Sequence, residues 1–159
     1  MPRIELETRI QSDDIKVVFD LCRSIELHLD SMKHTHEKAI AGKTSGLIEL
    51  GETVTWRAKH FGIHQTLTSI ITDCESPTFF ADELHEGIFH SFRHEHHLTQ
   101  QGEFIILKDI FDYKSPWGWL GRLADILFVK KYMTKLLKER NRYIKMYAET
   151  GKWKIILPI

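Results

Sequence analysis

The first residues of the chain alternate between apolar and polar positions. Between Arg3 and Ile10, one side of the pattern is formed by Ile4, Leu6, Thr8 and Ile10. A repeat of two residues is typical of a strand with one buried face. The pattern therefore predicts a first β-strand.

Two short helices are predicted after this strand. Ser12 and Asp13 can cap a helix, and apolar residues follow at helical spacing at Ile15, Val18, Phe19 and Cys22. A second short helix is indicated by the spacing of Ile25, Leu29 and Met32. Residues 33–43 are mostly polar, so we expect a loop there and the most mobile segment of the chain.

The middle of the chain is divided by turn-forming residues, which are Gly46, Gly51, Gly62, Pro77, Gly87 and Gly102. The runs between them are rich in Thr, Ile, Phe and Trp, which favour strands. This spacing predicts an antiparallel meander of about six strands.

A long helix is predicted at the C-terminal end. Pro116 stands near its start and Gly151 just past its end, as is usual for helices, so we expect a helix from near Trp119 to Thr150. Its apolar stripe is formed by Leu120, Leu123, Leu127, Met133, Leu137, Ile144 and Tyr147.

This order of elements admits few compact arrangements. A long amphipathic helix needs a large concave apolar face, and a twisted sheet supplies one by curling around it. We therefore predict an α+β helix-grip fold, in which a curved antiparallel sheet of about seven strands wraps around the C-terminal helix. The 159 residues fit one domain, residues 1–159, because no repeat or linker divides them.

Short motifs along nearly the whole chain resemble those of the SRPBCC superfamily. They are Trp56, Ala58, His60, Phe61 and Gly62, then Phe80, Asp82 and Gly87, then Phe89, Phe92, His94 and His96, then Asp109, Tyr113, Pro116, Gly118 and Gly121. They look most like the polyketide cyclase/dehydrase-like and coenzyme-Q-binding branches. Because members such as START lipid-transfer domains share a cavity between sheet and helix, the resemblance implies a hydrophobic ligand. It implies no particular reaction, since the fold hosts carriers, receptors and enzymes.

Charge and cysteine content narrow the function classes. The 22 basic and 22 acidic residues cancel, so no global field favours nucleic acid and we expect no nucleic-acid partner. Cys22 and Cys74 form no CxxC pair, which argues against a disulfide scaffold and a thiolate zinc site. The N-terminus lacks the apolar run of a secretion signal, and no stretch approaches the ~20 apolar residues of a membrane span. We expect a soluble cytoplasmic protein.

Strand alternation also predicts which side chains face the cavity. In residues 52–60 the inward set is Val54, Trp56, Ala58 and His60, and in residues 88–98 it is Ile88, His90, Phe92, His94, His96 and Leu98. In residues 103–113 two sets compete, and we prefer Ile105, Leu107, Asp109, Phe111 and Tyr113 over Phe104, Ile106, Lys108, Ile110 and Asp112.

The preferred set places a carboxylate, Asp109, inside an apolar cavity. Such a group is costly unless paired, so we expect it near His94, His96 or Tyr113, as the polar anchor of the pocket. The predicted ligand-binding residues are Trp56, His60, Phe80, Phe92, His94, His96, Asp109, Phe111, Tyr113, Leu123 and Leu127. The competing interpretation is that these histidines and aromatic residues are ordinary core residues and that Asp109 bonds backbone.

The cluster His90, His94, His96 and His97 raises the possibility of a metal site. Residues two apart on a strand are about 6.6 Å apart, so a closed site needs a third ligand from elsewhere. No HExxH motif, cysteine ligand or glycine-rich phosphate loop is present. We therefore expect no metal and no cofactor.

The long helix is rich in basic residues, namely Lys130, Lys131, Lys135, Lys138, Arg140, Arg142 and Lys145, with one nearby acid, Glu139. Such a run is usually a solvated face. Together with Ile126, Phe128, Val129 and the C-terminal Trp153, Ile155, Ile156 and Leu157, it is also compatible with transient contact with an anionic membrane surface.

Three functions remain in competition. We favour a binding protein or carrier for a lipid-like, quinone-like or aromatic molecule, because this function needs only a cavity. The second is a cyclase- or dehydratase-type enzyme in which His94 or His96 moves protons together with Asp109. The third is a stress or structural protein with a vestigial cavity.

Overall fold

The computed structural model describes residues 1–158. The strands are β1 (Arg3–Gln11), β2 (Lys38–Gly42), β3 (Thr53–His60), β4 (Ile63–Glu75), β5 (Phe79–Glu86), β6 (Ser91–Gln101) and β7 (Phe104–Lys114). The helices are α1 (Ile15–Cys22), α2 (Ile25–Ser31), α3 (Gly118–Ala124), α4 (Lys130–Thr150) and α5 (Trp153–Ile156). A single 3₁₀ turn, Lys33–Thr35, precedes β2, and a π-helical segment, Asp125–Val129, joins α3 to α4.

The seven strands form one antiparallel sheet in the order β1-β7-β6-β5-β4-β3-β2. The last six strands are a meander, and β1 pairs with the last of them. The sheet curves around α4, which packs against β1, α1 and α2. The predicted α+β helix-grip fold is therefore confirmed.

The two short helices close one end of the sheet. The Asp14 carboxylate accepts from the backbone N–H groups of Lys16 and Val17, and the Ser24 hydroxyl accepts from that of Leu27. The predicted caps of α1, Ser12 and Asp13, are thus one or two residues early. Both helices bury apolar side chains in a core shared with β1, β6 and β7.

The expectation of a loop over residues 33–43 is wrong. Residues 38–42 form the edge strand β2, in which Ala39 pairs with Trp56 and the register shifts at Ile40. Most of its side chains are exposed. Because alternation appears in a sequence only where one strand face is buried, this edge strand carried no such signal.

The long helix runs through α3, the π-helical segment and α4 and ends at Gly151, which has φ +77°. At Gly121 a β-carbon would stand 2.1 Å from the Pro116 carbonyl oxygen, so only glycine permits this close approach at the start of the helix. The predicted bounds agree with the observed ones within about one residue.

The predicted apolar stripe is correct in α4 but not before it. Leu137 and Ile144 are buried, whereas Leu120, Leu123 and Leu127 are 52%, 47% and 64% exposed. A π turn adds one residue to the helical repeat, so the face that meets the sheet advances by about 100° across it. Within residues 1–158, no helix is both long enough and apolar enough to cross a membrane.

Candidate ligand-binding site

A cavity of about 470 Å³ lies between the concave face of the sheet and the long helix. Its walls are mostly apolar side chains, including those of Trp56, Ala58, Phe92 and Leu137. This volume is within the range of small-molecule pockets, which are mostly apolar with a few placed polar groups.

Seven of the predicted ligand-binding residues lie on the cavity wall. They are Trp56, His60, Phe80, Phe92, His94, His96 and Phe111. The four others, Asp109, Tyr113, Leu123 and Leu127, are not on it.

Asp109 and Tyr113 point to the predicted face but lie behind the wall. Asp109 is 1% exposed and Tyr113 is fully buried. Tyr113 packs against Phe111 and Phe89, and its hydroxyl has no hydrogen-bond partner within residues 1–158. Strand alternation predicts which face of the sheet a side chain is on but not how deeply it is buried, and here the helix covers this part of the face.

Leu123 and Leu127 are directed to solvent because of the π-helical segment.

A buried hydrogen-bond network surrounds the Asp109 carboxylate. Its Oδ1 lies 2.8 Å from His94 Nε2 and 3.2 Å from His96 Nδ1, while Asn141 Nδ2 donates to its Oδ2 at 2.6 Å. Arg140 Nη1 is 3.6 Å from Oδ1. Burial alone would raise the pKa of Asp109, but the hydrogen bond from His94 and the proximity of His96 outweigh it and hold this pKa well below its usual value.

Asp82 provides a second carboxylate on the cavity side of the same histidines. It pairs with His94 in the register of β5 and β6, and His96 Nε2 lies 3.0 Å from its Oδ1. Burial opposes its charge, yet the hydrogen bond from His96 and the nearby positive groups lower its pKa below the ordinary value. Two carboxylates thus enclose two imidazoles whose ring centres are 3.9 Å apart.

The environment of His94 disfavours its protonated form. Burial and the neighbouring His96 lower the pKa of His94, and they outweigh the opposing effect of Asp109 and Asp82. At neutral pH this side chain is therefore a neutral imidazole with one nitrogen directed at Asp109.

A second polar contact holds the helix to the sheet near the cavity opening. His60 Nδ1 lies 2.6 Å from the Tyr132 hydroxyl oxygen, which connects the end of β3 to α4. Burial lowers the pKa of His60. Phe61 packs on Tyr132 with a ring separation of 4.5 Å, so three aromatic rings gather at this point.

Two sequence-based assignments need correction. His90 precedes β6 and is exposed, so two rather than three of the predicted histidines share the inner face. Arg140 does not belong to the exposed basic face, because it is buried and donates to the Cys22 carbonyl oxygen at 2.8 Å. Its charge lies beside Asp109 instead.

Sequence reasoning missed the roles of Asp82, Tyr132, Arg140 and Asn141. A signal was available for three of them. Asp82 lies two residues from both Phe80 and Leu84, so the three share one face of β5. Arg140 and Asn141 lie between Leu137 and Ile144 on the buried stripe of α4. A polar residue on an apolar face is more informative than the apolar residues around it.

Exposed apolar side chains are concentrated at the start of the long helix, where Trp117 and Phe128 also line the cavity. We call this surface the mouth patch, and it consists of Trp117, Trp119, Leu120, Leu123, Ile126, Leu127 and Phe128. Phe128 and Phe61 contact each other, line the cavity and are also exposed, which marks the opening between them. The C-terminal Trp153, Ile156 and Leu157 pack instead against the core that contains α1 and α2.

Comparison with known proteins reveals similarity in structure. The protein TTHA0849 from Thermus thermophilus superposes with a TM-score of 0.71 at 18% identity, covering 93% of this chain and 100% of that one. Ginseng major latex-like protein 151 from Panax ginseng gives a TM-score of 0.66 at 17% identity, covering 92% and 97%. Ara h 8.0201 gives 0.61 at 13% identity, covering 90% and 97%. The chain therefore shares the helix-grip fold with these proteins.

At these identities the likeness shows the fold alone. A comparison of the sequence with models of protein families finds no match, and neither does a comparison with curated proteins. The function must therefore be argued from the cavity and its side chains.

Proposed function

We propose that this protein binds and carries a hydrophobic small molecule. The observation that carries the proposal is the mostly apolar cavity of about 470 Å³, whose wall holds the polar cluster of Asp82, His94 and His96. An apolar body would contact Trp56, Phe92 and Leu137, and a polar head group would meet Asp82 and His94. Such a division favours a lipid-like, quinone-like or aromatic molecule with one polar end.

The sequence motifs favour two branches of the superfamily for this role. Resemblance to coenzyme-Q-binding proteins supports a quinone-like ligand, and resemblance to polyketide cyclases supports a polycyclic aromatic one. Both ligand types have a flat apolar body that fits beside Phe80, Phe92 and Phe111. We propose this ligand class because the motifs and the aromatic lining of the cavity both favour it.

An enzyme of the cyclase or dehydratase type is the second candidate. The observation that favours it is the neutral imidazole of His94 on the cavity wall, which can accept a proton at neutral pH. Asp109 would position the imidazole from behind rather than contact a substrate. A carrier would release its ligand unchanged, whereas an enzyme would release a cyclised or dehydrated product.

Native mass spectrometry of freshly purified protein tests the proposal. We expect a non-covalent adduct that dissociates on denaturation, and the mass of the released molecule identifies its class. Protein at the unliganded mass that also gains no adduct from palmitate, a short-chain quinone or a polycyclic phenol would contradict ligand carriage. Conversion of the added molecule to a product of lower mass by one water would favour the enzyme.

We also propose that the mouth patch docks on an anionic membrane surface, from which the ligand enters. Within residues 117–131 the exposed charged residues are Arg122, Lys130 and Lys131, while the one acid, Asp125, is buried and accepts from the Ser115 hydroxyl. Apolar side chains can enter the headgroup region, and each nearby cation adds about 1 kcal/mol of attraction to anionic lipid.

Free thiols at Cys22 and Cys74 favour a reducing, cytoplasmic setting, where the facing leaflet is anionic.

Vesicle co-sedimentation tests the docking. Wild-type protein should bind phosphatidylglycerol-containing vesicles, and Ile126→Ser should weaken binding by several-fold. Ile155→Ser is the matched control, because Ile155 is 79% exposed against 82% for Ile126 but lies in α5, beyond the C-terminal end of α4. Equal binding by both variants would contradict docking through the mouth patch. So would a wild-type dimer that Ile126→Ser converts to monomer, since a second copy would then cover the patch.

A further inference from the structure

The fold places a third potential metal ligand, Asp82, beside His94 and His96, and the sequence alone does not indicate this. The two histidines are two residues apart on the inner face of β6, and strand pairing places Asp82 of β5 directly opposite His94. Asp82 Oδ1 is 3.0 Å from His96 Nε2 and 3.9 Å from His94 Nδ1. All three ligand atoms lie within 4.8 Å of one another.

These separations are close to those of a metal site. Nitrogen and oxygen ligands lie about 2.0 to 2.2 Å from Zn²⁺, so two ligand atoms of a tetrahedral site are roughly 3.3 Å apart. One of the observed distances is slightly shorter than this and the other is slightly longer. Small side-chain rotations would bring the three atoms around one ion.

The other nitrogens of both imidazoles are held from behind by one carboxylate. His94 Nε2 and His96 Nδ1 face Asp109 Oδ1, at 2.8 and 3.2 Å, and His96 Nδ1 also lies 3.5 Å from Arg140 Nη2. Metal-bound histidines almost always direct their second nitrogen to a carboxylate, carbonyl or water, which orients the ring. Asn141 in turn fixes Asp109. The arrangement therefore has both the ligands and the outer support of a metal centre.

The charges near the cluster also favour a cation. The cluster contains two carboxylates, Asp82 and Asp109, and one guanidinium, that of Arg140 beside Asp109, so it carries a net negative charge when both imidazoles are neutral. With the Nε2 hydrogen of His94 donated to Asp109, its Nδ1 presents a lone pair toward the Asp82 carboxylate. Two acceptors that face each other at 3.9 Å are stabilised by an ion between them.

We infer that Asp82, His94 and His96 form a binding site for one divalent transition-metal ion such as Zn²⁺ on the wall of the cavity. Two imidazoles and one carboxylate are a donor set that zinc, iron and cobalt accept. Three protein ligands leave coordination positions open toward the cavity, where an oxygen of a bound molecule can enter. This departs from the expectation of no metal, because that expectation rested on the missing third ligand.

Metal titration of untagged, chelator-treated protein tests the inference. We expect one Zn²⁺ per chain by calorimetry, and Co²⁺ in the same site should give visible absorption that Zn²⁺ removes. Asp82→Asn and His94→Gln should each weaken Zn²⁺ binding at least about 100-fold, since loss of even an outer-shell partner costs about 10- to 100-fold. Asp82→Asn keeps the size of the side chain, and its amide can hydrogen-bond with either tautomer of His96, so this variant should remain folded.

His97→Gln is the matched control, because His97 lies on the outer face of the same strand, where it pairs with Glu95. It should bind Zn²⁺ as the wild type does. Absence of Zn²⁺ uptake by the folded wild type would overturn the inference, as would unchanged affinity in folded Asp82→Asn. Binding of an apolar dye by metal-free protein is measured in parallel, so failure of the metal site is distinguished from failure of the proposed ligand carriage.

Discussion

Asp109 is an internal anchor of the fold rather than a contact for a ligand. Its carboxylate lies behind the cavity wall, where it accepts from Asn141 and balances the buried guanidinium of Arg140. Removing one partner of a buried pair leaves the other without compensation. The effect of changing this residue should therefore appear in stability and not in ligand preference.

We predict that Asp109→Asn lowers stability by about 3 to 5 kcal/mol, which corresponds to a fall in Tm of roughly 6 to 20 °C for a chain of this size. Thermal unfolding followed by circular dichroism measures it. Asp112→Asn is the control, since Asp112 is on the outer face of the same strand and pairs with the exposed Arg3. Its Tm should stay close to the wild-type value. A shift in ligand preference without loss of stability in Asp109→Asn would contradict the assignment.

The pKa of His94 makes a prediction about pH. A histidine with a lowered pKa in the folded state contributes stability that is fully present above its unfolded pKa of about 6.5 and is lost as pH falls below it. His60, with a lowered pKa, acts in the same direction, while the carboxylates Asp82 and Asp109 act only below about pH 4. With a chelator present, Tm should therefore fall between pH 7 and 5, and less steeply in His94→Gln. Equal slopes in the two proteins would show that His94 titrates normally.

At the scale of elements, the C-terminal helix has two parts with different surroundings. Through α4 it presents Leu137 and Ile144 to the core, whereas α3 and the π-helical segment present the mouth patch to solvent. Periodicity could not reveal this change of face, because Ile126, Leu127 and Phe128 are all apolar and fit more than one helical phase. The position of a π turn depends on how the helix meets the sheet.

A pair of identical substitutions tests this change of face. Leu137→Ala should destabilise by about 2 to 5 kcal/mol, because its side chain is 8% exposed and its removal leaves a cavity. Leu127→Ala should change stability by less than about 0.5 kcal/mol, because Leu127 is 64% exposed. Chemical denaturation measures both values. A large loss in Leu127→Ala would mean that the predicted stripe continues through α3.

Strand prediction succeeded where one face of a strand is buried. In β6 and β7, alternation identified Phe92, His94, His96, Asp109 and Phe111 as inward-facing, and strand pairing then brought His96 opposite Asp109. It failed at β2, whose exposed side chains leave no alternation to detect. The capping of α1 by Asp14 rather than by Ser12 or Asp13 is a difference that several neighbouring polar residues make hard to predict.

At the scale of the whole molecule, the order of elements predicted the architecture because few arrangements cover a long amphipathic helix. The depth of each inward residue was not predictable, since it depends on where α4 crosses the sheet. The proximity of Asp82 to His94 was not predictable either, because it depends on how β5 pairs with β6. Only some of the residues on the inner face of the sheet therefore line the cavity.

We propose that the space under the helix receives an apolar molecule, and a fluorescence titration with the neutral dye N-phenylnaphthylamine tests this most directly. Ala58 is buried and lines the cavity, so Ala58→Phe places a ring in that space without adding charge. Ala41→Phe, on the exposed edge strand β2, is the matched control. We predict one dye per chain for the wild type and Ala41→Phe, and at least about tenfold weaker binding for folded Ala58→Phe. Wild-type affinity and stoichiometry in folded Ala58→Phe would contradict the claim.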